Sequence, residues 1–79
     1  MYRCVTQVEP TDDFRLVLEF DRSEKRVFDV KPIFSYGRFS ELQDKQTFQK
    51  VHVSFDTVEW DNGLDIDPEY LYNGSEKIA

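Results

Sequence analysis

The sequence predicts an α+β fold: a small two-layer domain, an antiparallel sheet of about five strands with short helices on one side. Three observations carry that expectation. Phe14-Arg15-Leu16-Val17-Leu18-Glu19-Phe20 places Phe14, Leu16, Leu18 and Phe20 on one face, the period of a half-buried strand. Short turn clusters separate the strand-like runs, as sequential antiparallel neighbours require. Asp67-Pro68 sets a capping carboxylate before a proline at the first helical position, which marks a helix start.

The elements follow in order. The first strand runs over residues 4–9, with Cys4, Thr6 and Val8 on one side and Val5, Gln7 and Glu9 on the other, and Pro10 ends it. Thr11-Asp12-Asp13 turns the chain into the second strand, and Asp21-Arg22-Ser23-Glu24 turns it out again. Residues 25–30 return with Val27 and Phe28, completing a three-stranded meander. Pro32-Ile33-Phe34-Ser35-Tyr36-Gly37 is too short and too punctuated for a regular helix and fits a single helical turn. Ser40-Glu41-Leu42-Gln43 has a capping-box pattern and Asp44 is a second N-cap. A short helix therefore lies between Ser40 and Lys50, its first residue open, with Leu42 and Phe48 inward.

Strand signals resume at residues 51–55, where Val51, Val53 and Phe55 share a face, and at residues 57–60, where Val58 and Trp60 do. Asp56 reverses the chain between them. Asn62-Gly63 predicts a type I′ or related turn with Gly63 at positive φ. The helix from Pro68 carries Tyr70, Leu71 and Tyr72 and closes at Asn73-Gly74, and the last five residues are expected to fray. Spacing assigns Phe14, Leu16, Leu18, Phe20, Phe28, Phe48, Val51, Val53 and Trp60 to one core.

With 79 residues the chain predicts one domain, residues 1–79, and a small core. Cys4 is the only cysteine, so no internal disulfide staples it, and a lone thiol points to a reducing compartment. Seven Phe, four Tyr and one Trp compensate, since each large ring buries about 150–250 Å². No basic-then-apolar leader pattern and no membrane-length apolar run occur, which predicts a soluble cytoplasmic domain without a membrane partner.

Familiar catalytic patterns are missing. His52 is the only histidine and lies opposite Val51 and Val53, an ordinary surface position lacking the partners of a triad. One Cys and one His make neither a zinc cage nor a catalytic trio. Counting an EF-hand loop from Asp61 puts Gly63 at the third position and Ile66 at the sixth, so the calcium pattern fails. No glycine-rich phosphate loop or basic stripe is present. The expectation is no enzyme, no metal and no cofactor.

Charge is segregated instead. Residues 1–55 are electrically neutral, whereas Asp56, Glu59, Asp61, Asp65, Asp67, Glu69 and Glu76 face only Lys77, which accounts for the whole net charge of −6. Such an end repels phosphate backbones, which argues against direct nucleic-acid binding. It also gathers three large aromatics. The predicted binding residues are Trp60, Asp61, Asn62, Gly63, Asp65, Glu69, Tyr70 and Tyr72, with one of the two tyrosines on the rim of the helix.

The succession Leu16 to Phe20, Phe28-Asp29-Val30, Phe39, Leu42, Asp44, Phe48, Val51, Val58-Glu59-Trp60, Asn62-Gly63, Asp65-Ile66, Pro68 and Leu71-Tyr72 resembles a small bacterial domain-of-unknown-function family, numbered twenty-four forty-two. Asp61 stands where a proline is common in that family, and Leu64 where a small residue is common. The resemblance implies an antiparallel α+β fold without established catalytic residues. It also implies a small protein partner encoded nearby, because members often neighbour a family numbered forty-one sixty in arrangements resembling toxin–antitoxin pairs. Function is accordingly expected to be a non-enzymatic protein-binding module, the antitoxin-like partner of a small basic protein. The alternative is a small-molecule-binding regulatory domain with a pocket between sheet and helices, lined by Trp60, Tyr36 and Tyr70.

Overall fold

Alternation writes the first sheet. In the computed structural model, which describes residues 3–78, strands β1 (Val5–Pro10), β2 (Arg15–Phe20) and β3 (Glu24–Asp29) form the expected meander. Leu16, Leu18 and Phe20 of β2 point inward and are buried, while Arg15 faces solvent, the outcome that period-two spacing dictates. Arg22 and Ser23 take positive φ between β2 and β3, and Phe14 does so just before β2.

The expected single sheet of about five strands is two antiparallel sheets. The first has the order β1-β2-β3-β7, where β7 is Glu76–Lys77. The second comprises β4 (His52–Ser54), β5 (Thr57–Glu59) and β6 (Asp65–Ile66) in chain order. The Val5 amide donates to the Asp56 carbonyl at 2.9 Å, which ties the edge of the first sheet to the β4–β5 turn. Residues 76–77, expected to fray, instead pair with Val27 and Arg26 of β3. Ala79, also in that expectation, lies outside the described residues.

Phe55 departs from its expected place on the inner face of a strand. It sits in the two-residue turn after β4 with φ 57° and relative exposure 101%. A hairpin this tight places one of its central residues in left-handed backbone, and here that residue is a phenylalanine. The alternation of Val51, Val53 and Phe55 therefore stops one residue early.

Connecting segments supply the rest of the core. Lys31–Ile33 and Gly37–Gln43 are 3₁₀ turns that bury Ile33 and Leu42. Helix α1 is Lys45–Phe48, and Asp44 is its N-cap, accepting from the Thr47 amide at 3.0 Å. The Ser40 capping box does not form, since the Ser40 hydroxyl donates back to the Gly37 carbonyl. Helix α2 is Pro68–Gly74, capped by Asp67 through the Glu69 and Tyr70 amides. Leu71 on its inner side is fully buried. One hydrophobic cluster joins Leu16, Leu18, Phe20 and Phe28 of the first sheet to Val58, Trp60 and Ile66 at the second. Phe14, Val51 and Val53 pack on it half-buried. Among the described residues no helix is long and apolar enough to cross a membrane.

Candidate functional site

The eight predicted binding residues do not form one surface. Trp60 is 1% exposed, and its indole Nε1–H donates to the Phe48 carbonyl at 3.0 Å, closing the last turn of α1. Gly63 has φ 90°, and its amide donates to the Trp60 carbonyl at 2.9 Å. With Trp60 N–H donating to Leu64 O at 2.8 Å, this is the three-residue hairpin in which one glycine takes the left-handed position. A type I′ turn would need positive φ at Asn62 as well, and among the described residues Asn62 is not left-handed. Asn62 is held on three sides: its Nδ2 donates to Glu41 Oε1 at 2.9 Å, its Oδ1 accepts from Leu64, and its carbonyl accepts from Arg38. The Arg38 guanidinium, followed by the Asn62 amide, holds the Glu41 carboxyl below its ordinary range.

Tyr72 is clamped as well. Guanidinium carbons of Arg3 and Arg26 lie 4.1 and 4.2 Å from its ring centroid. Its hydroxyl donates to Glu24 at 2.9 Å, and its ring meets Phe20 edge-on. Arg26 ties the same cluster to Glu24 at 2.7 Å and to both Ser75 oxygens at 2.7 and 2.8 Å. Hydrogen bonding from Arg26, then from Tyr72, lowers the Glu24 carboxyl from its ordinary value. This network fastens α2 and β7 to β3 and leaves Tyr72 little surface to offer.

The exposed acids separate. Asp61 faces His52, with 3.5 Å between Oδ1 and Nδ1, and Glu59 stands 3.5 Å from the other ring nitrogen. Glu69 lines a shallow depression with Arg3, Tyr72 and Asn73. Asp65 and Tyr70 do come together, in an open groove of about 470 Å³ whose other walls are Ile33, Tyr36, Phe39, Ile66 and Asp67. Tyr36 is 64% and Tyr70 52% exposed. Tyr36 enters from the bend between the two 3₁₀ turns and Tyr70 from α2, so the groove brings together aromatics 34 residues apart in sequence. Tyr36 and Tyr70 both line this groove, and Trp60, expected beside them, is not among the lining residues.

Phe39 and Asp67 were not among the predicted binding residues. Asp67 signals itself only as a helix cap, and it also lines the groove because it directly follows β6. A second hollow of about 430 Å³ lies where β1 and β2 face β4. Its walls mix Val8, Val51 and Val53 with Glu9, Glu19, Lys25 and His52, and no aromatic ring enters apart from the imidazole. The Tyr36–Tyr70 groove is the more distinctive of the two. Among the described residues no group of three or more His, Cys, Asp or Glu side chains is placed to hold a metal ion.

Comparison with known proteins gives no match among curated proteins and none among solved structures. One family model spans residues 5–77, nearly the whole chain. The chain therefore belongs to the family described as protein of unknown function (DUF2442).

Proposed function

We propose that the chain is a non-enzymatic, cytoplasmic protein-binding module, the antitoxin-like partner of a small basic protein encoded nearby. The observation that carries this reading is the groove. Tyr36 and Tyr70 leave large ring surfaces in solvent beside Phe39, Ile33 and Ile66, and Asp65 and Asp67 stand at its edge. Contiguous exposed apolar surface edged by polar groups is a mark of an interaction site, and tyrosine is enriched at interfaces. The net charge of −6 steers a basic partner toward the domain and discourages self-association. The groove is open, which suits a chain segment better than an enclosed small molecule. The small-molecule alternative loses Trp60, whose ring is spent in the core.

Co-expression with the neighbouring small basic protein tests the proposal. A complex should survive size exclusion, its association should slow with added salt, and hydrogen exchange should fall at Ile66, Asp67 and Tyr70. A complex that protects β1–β3 and leaves residues 56–72 unprotected would overturn it.

A further inference from the structure

We infer that the groove takes an arginine side chain, presented by an extended segment of the protein partner. The inference rests on the protein-docking reading and goes further by naming the chemistry of the occupant.

The argument starts from a trio that the molecule already contains. Arg26 lies over the Tyr72 ring at 4.2 Å, and the same guanidinium donates to Glu24 at 2.7 Å. Tyrosine, arginine and carboxylate thus satisfy one another: the ring receives the flat cation and the carboxylate neutralises it. The groove repeats two members of this set. Tyr36 and Tyr70 supply exposed rings, and Asp65 and Asp67 supply carboxylates, while none of the lining residues is basic. Asp67 uses Oδ2 for both cap bonds to α2, and Oδ1 has no hydrogen bond among the described residues. Asp65 has no salt bridge or side-chain hydrogen bond among the described residues, and it is exposed. Arg38, a cation of the adjoining 3₁₀ segment, is engaged by Glu41 and the Asn62 carbonyl. The missing third member must come from outside.

Arginine fits better than lysine for two reasons. A planar guanidinium stacks on a ring face and loses less hydration in doing so, whereas a compact ammonium holds its water tightly. Its three-carbon stem covers apolar surface while the head reaches the carboxylates, and here half-buried Phe39 and the exposed tyrosine rings provide that surface. An extended segment lets one side chain enter without the bulk of a helix. Net charge then adds attraction at a distance, and the groove reads the residue at close range.

The test uses short peptides and the whole domain labelled with ¹⁵N. A peptide with leucine on each side of one central arginine is titrated against versions carrying citrulline, the neutral isostere, or lysine. Amide shifts at Ile66, Asp67 and Tyr70 report binding. The arginine peptide should shift these amides, with citrulline weaker by roughly five- to tenfold, from loss of the cation–ring and ion-pair attraction together. Asp65→Asn should weaken the arginine peptide and leave the citrulline peptide unchanged, while Tyr70→Ser should weaken both. Asp65→Asn falls on an exposed side chain and should keep the parent melting curve, whereas Tyr70→Ser gives up an edge contact with Phe28, ring centroids 6.0 Å apart, and should melt somewhat lower, so the Asp65→Asn arm carries the assignment. Equal affinity for arginine and citrulline at the groove would sink the arginine assignment and leave the docking surface standing. Lysine binding as tightly as arginine would sink the arginine assignment too. Shifts confined to the hollow between β1 and β4, or none at all, would overturn both.

Discussion

Replacing Trp60 by phenylalanine separates a core role from a binding role. The change keeps an aromatic ring and removes two things: part of the indole volume and the Nε1–H bond to the Phe48 carbonyl. Trp60 is 1% exposed, so water does not fill the gap freely. A volume loss of roughly 40 Å³ at about 24 cal/mol per Å³ gives ~1 kcal/mol. Leaving the buried Phe48 carbonyl without its donor adds about 1–3 kcal/mol. The sum, roughly 2–4 kcal/mol, is large beside the ~4–12 kcal/mol expected for a chain of this length. Urea unfolding followed by far-ultraviolet circular dichroism measures it, since the variant has no tryptophan to report by fluorescence. A loss below about 0.5 kcal/mol with an unchanged m-value would refute the reasoning, because neither the cavity nor the orphaned carbonyl would then be felt.

Three further outcomes are expected. Phe55→Gly should raise stability by about 0.5–1 kcal/mol, because the ring touches nothing and glycine accepts φ 57° freely; a lower melting temperature would mean that the ring holds a contact. Gly63→Val should cost about 1–3 kcal/mol purely through backbone strain at φ 90°, since a Cβ there meets no atom within 4 Å; Gly63→Asn should cost much less, and equal losses for the two would point to a clash instead. For acid stability the Glu24 carboxyl, lowered by Arg26 and Tyr72, is one contributor. Its folded value lies below the ordinary 4.5, so its contribution is complete above that pH and is lost as pH falls through the folded value. Glu24→Gln should flatten the acid limb of the melting-temperature profile relative to the parent, and parallel profiles would exclude the linkage.

Local chemistry was legible wherever it was sufficient. The meander follows from the Leu16, Leu18 and Phe20 alternation, and both true helices start at the aspartates that sequence marks as caps, Asp44 and Asp67. The division into two sheets was not legible, because strand length and period say nothing about which edges remain unpaired. Strand β7 was hidden for a related reason. Two residues carry no periodicity, and Glu76–Lys77 exists only because β3 offers an edge and Arg26 holds Ser75 beside it. Phe55 was misplaced because hydrophobicity continued the strand where turn geometry ended it. At the site, composition shows that residues 56–72 gather acids and tyrosines but could not show that Tyr72 is clamped by arginines.

Pairing of β3 with β7 has a consequence for how the groove opens. Arg26 and Ser75 are 49 residues apart, so the closing strand forms after a long loop has been gathered, whereas β1–β3 need only short reversals. A two-residue strand of exposed side chains is also the cheapest part of the sheet to release. Its release frees the C-terminal end of α2, which Leu71 still anchors in the core, while Tyr36 stays on the segment preceding α1. The Tyr70 wall thus rests partly on an element that closes late, and the Tyr36 wall does not. A segment that spans both walls favours the closed form and, by linkage, slows amide exchange in β7.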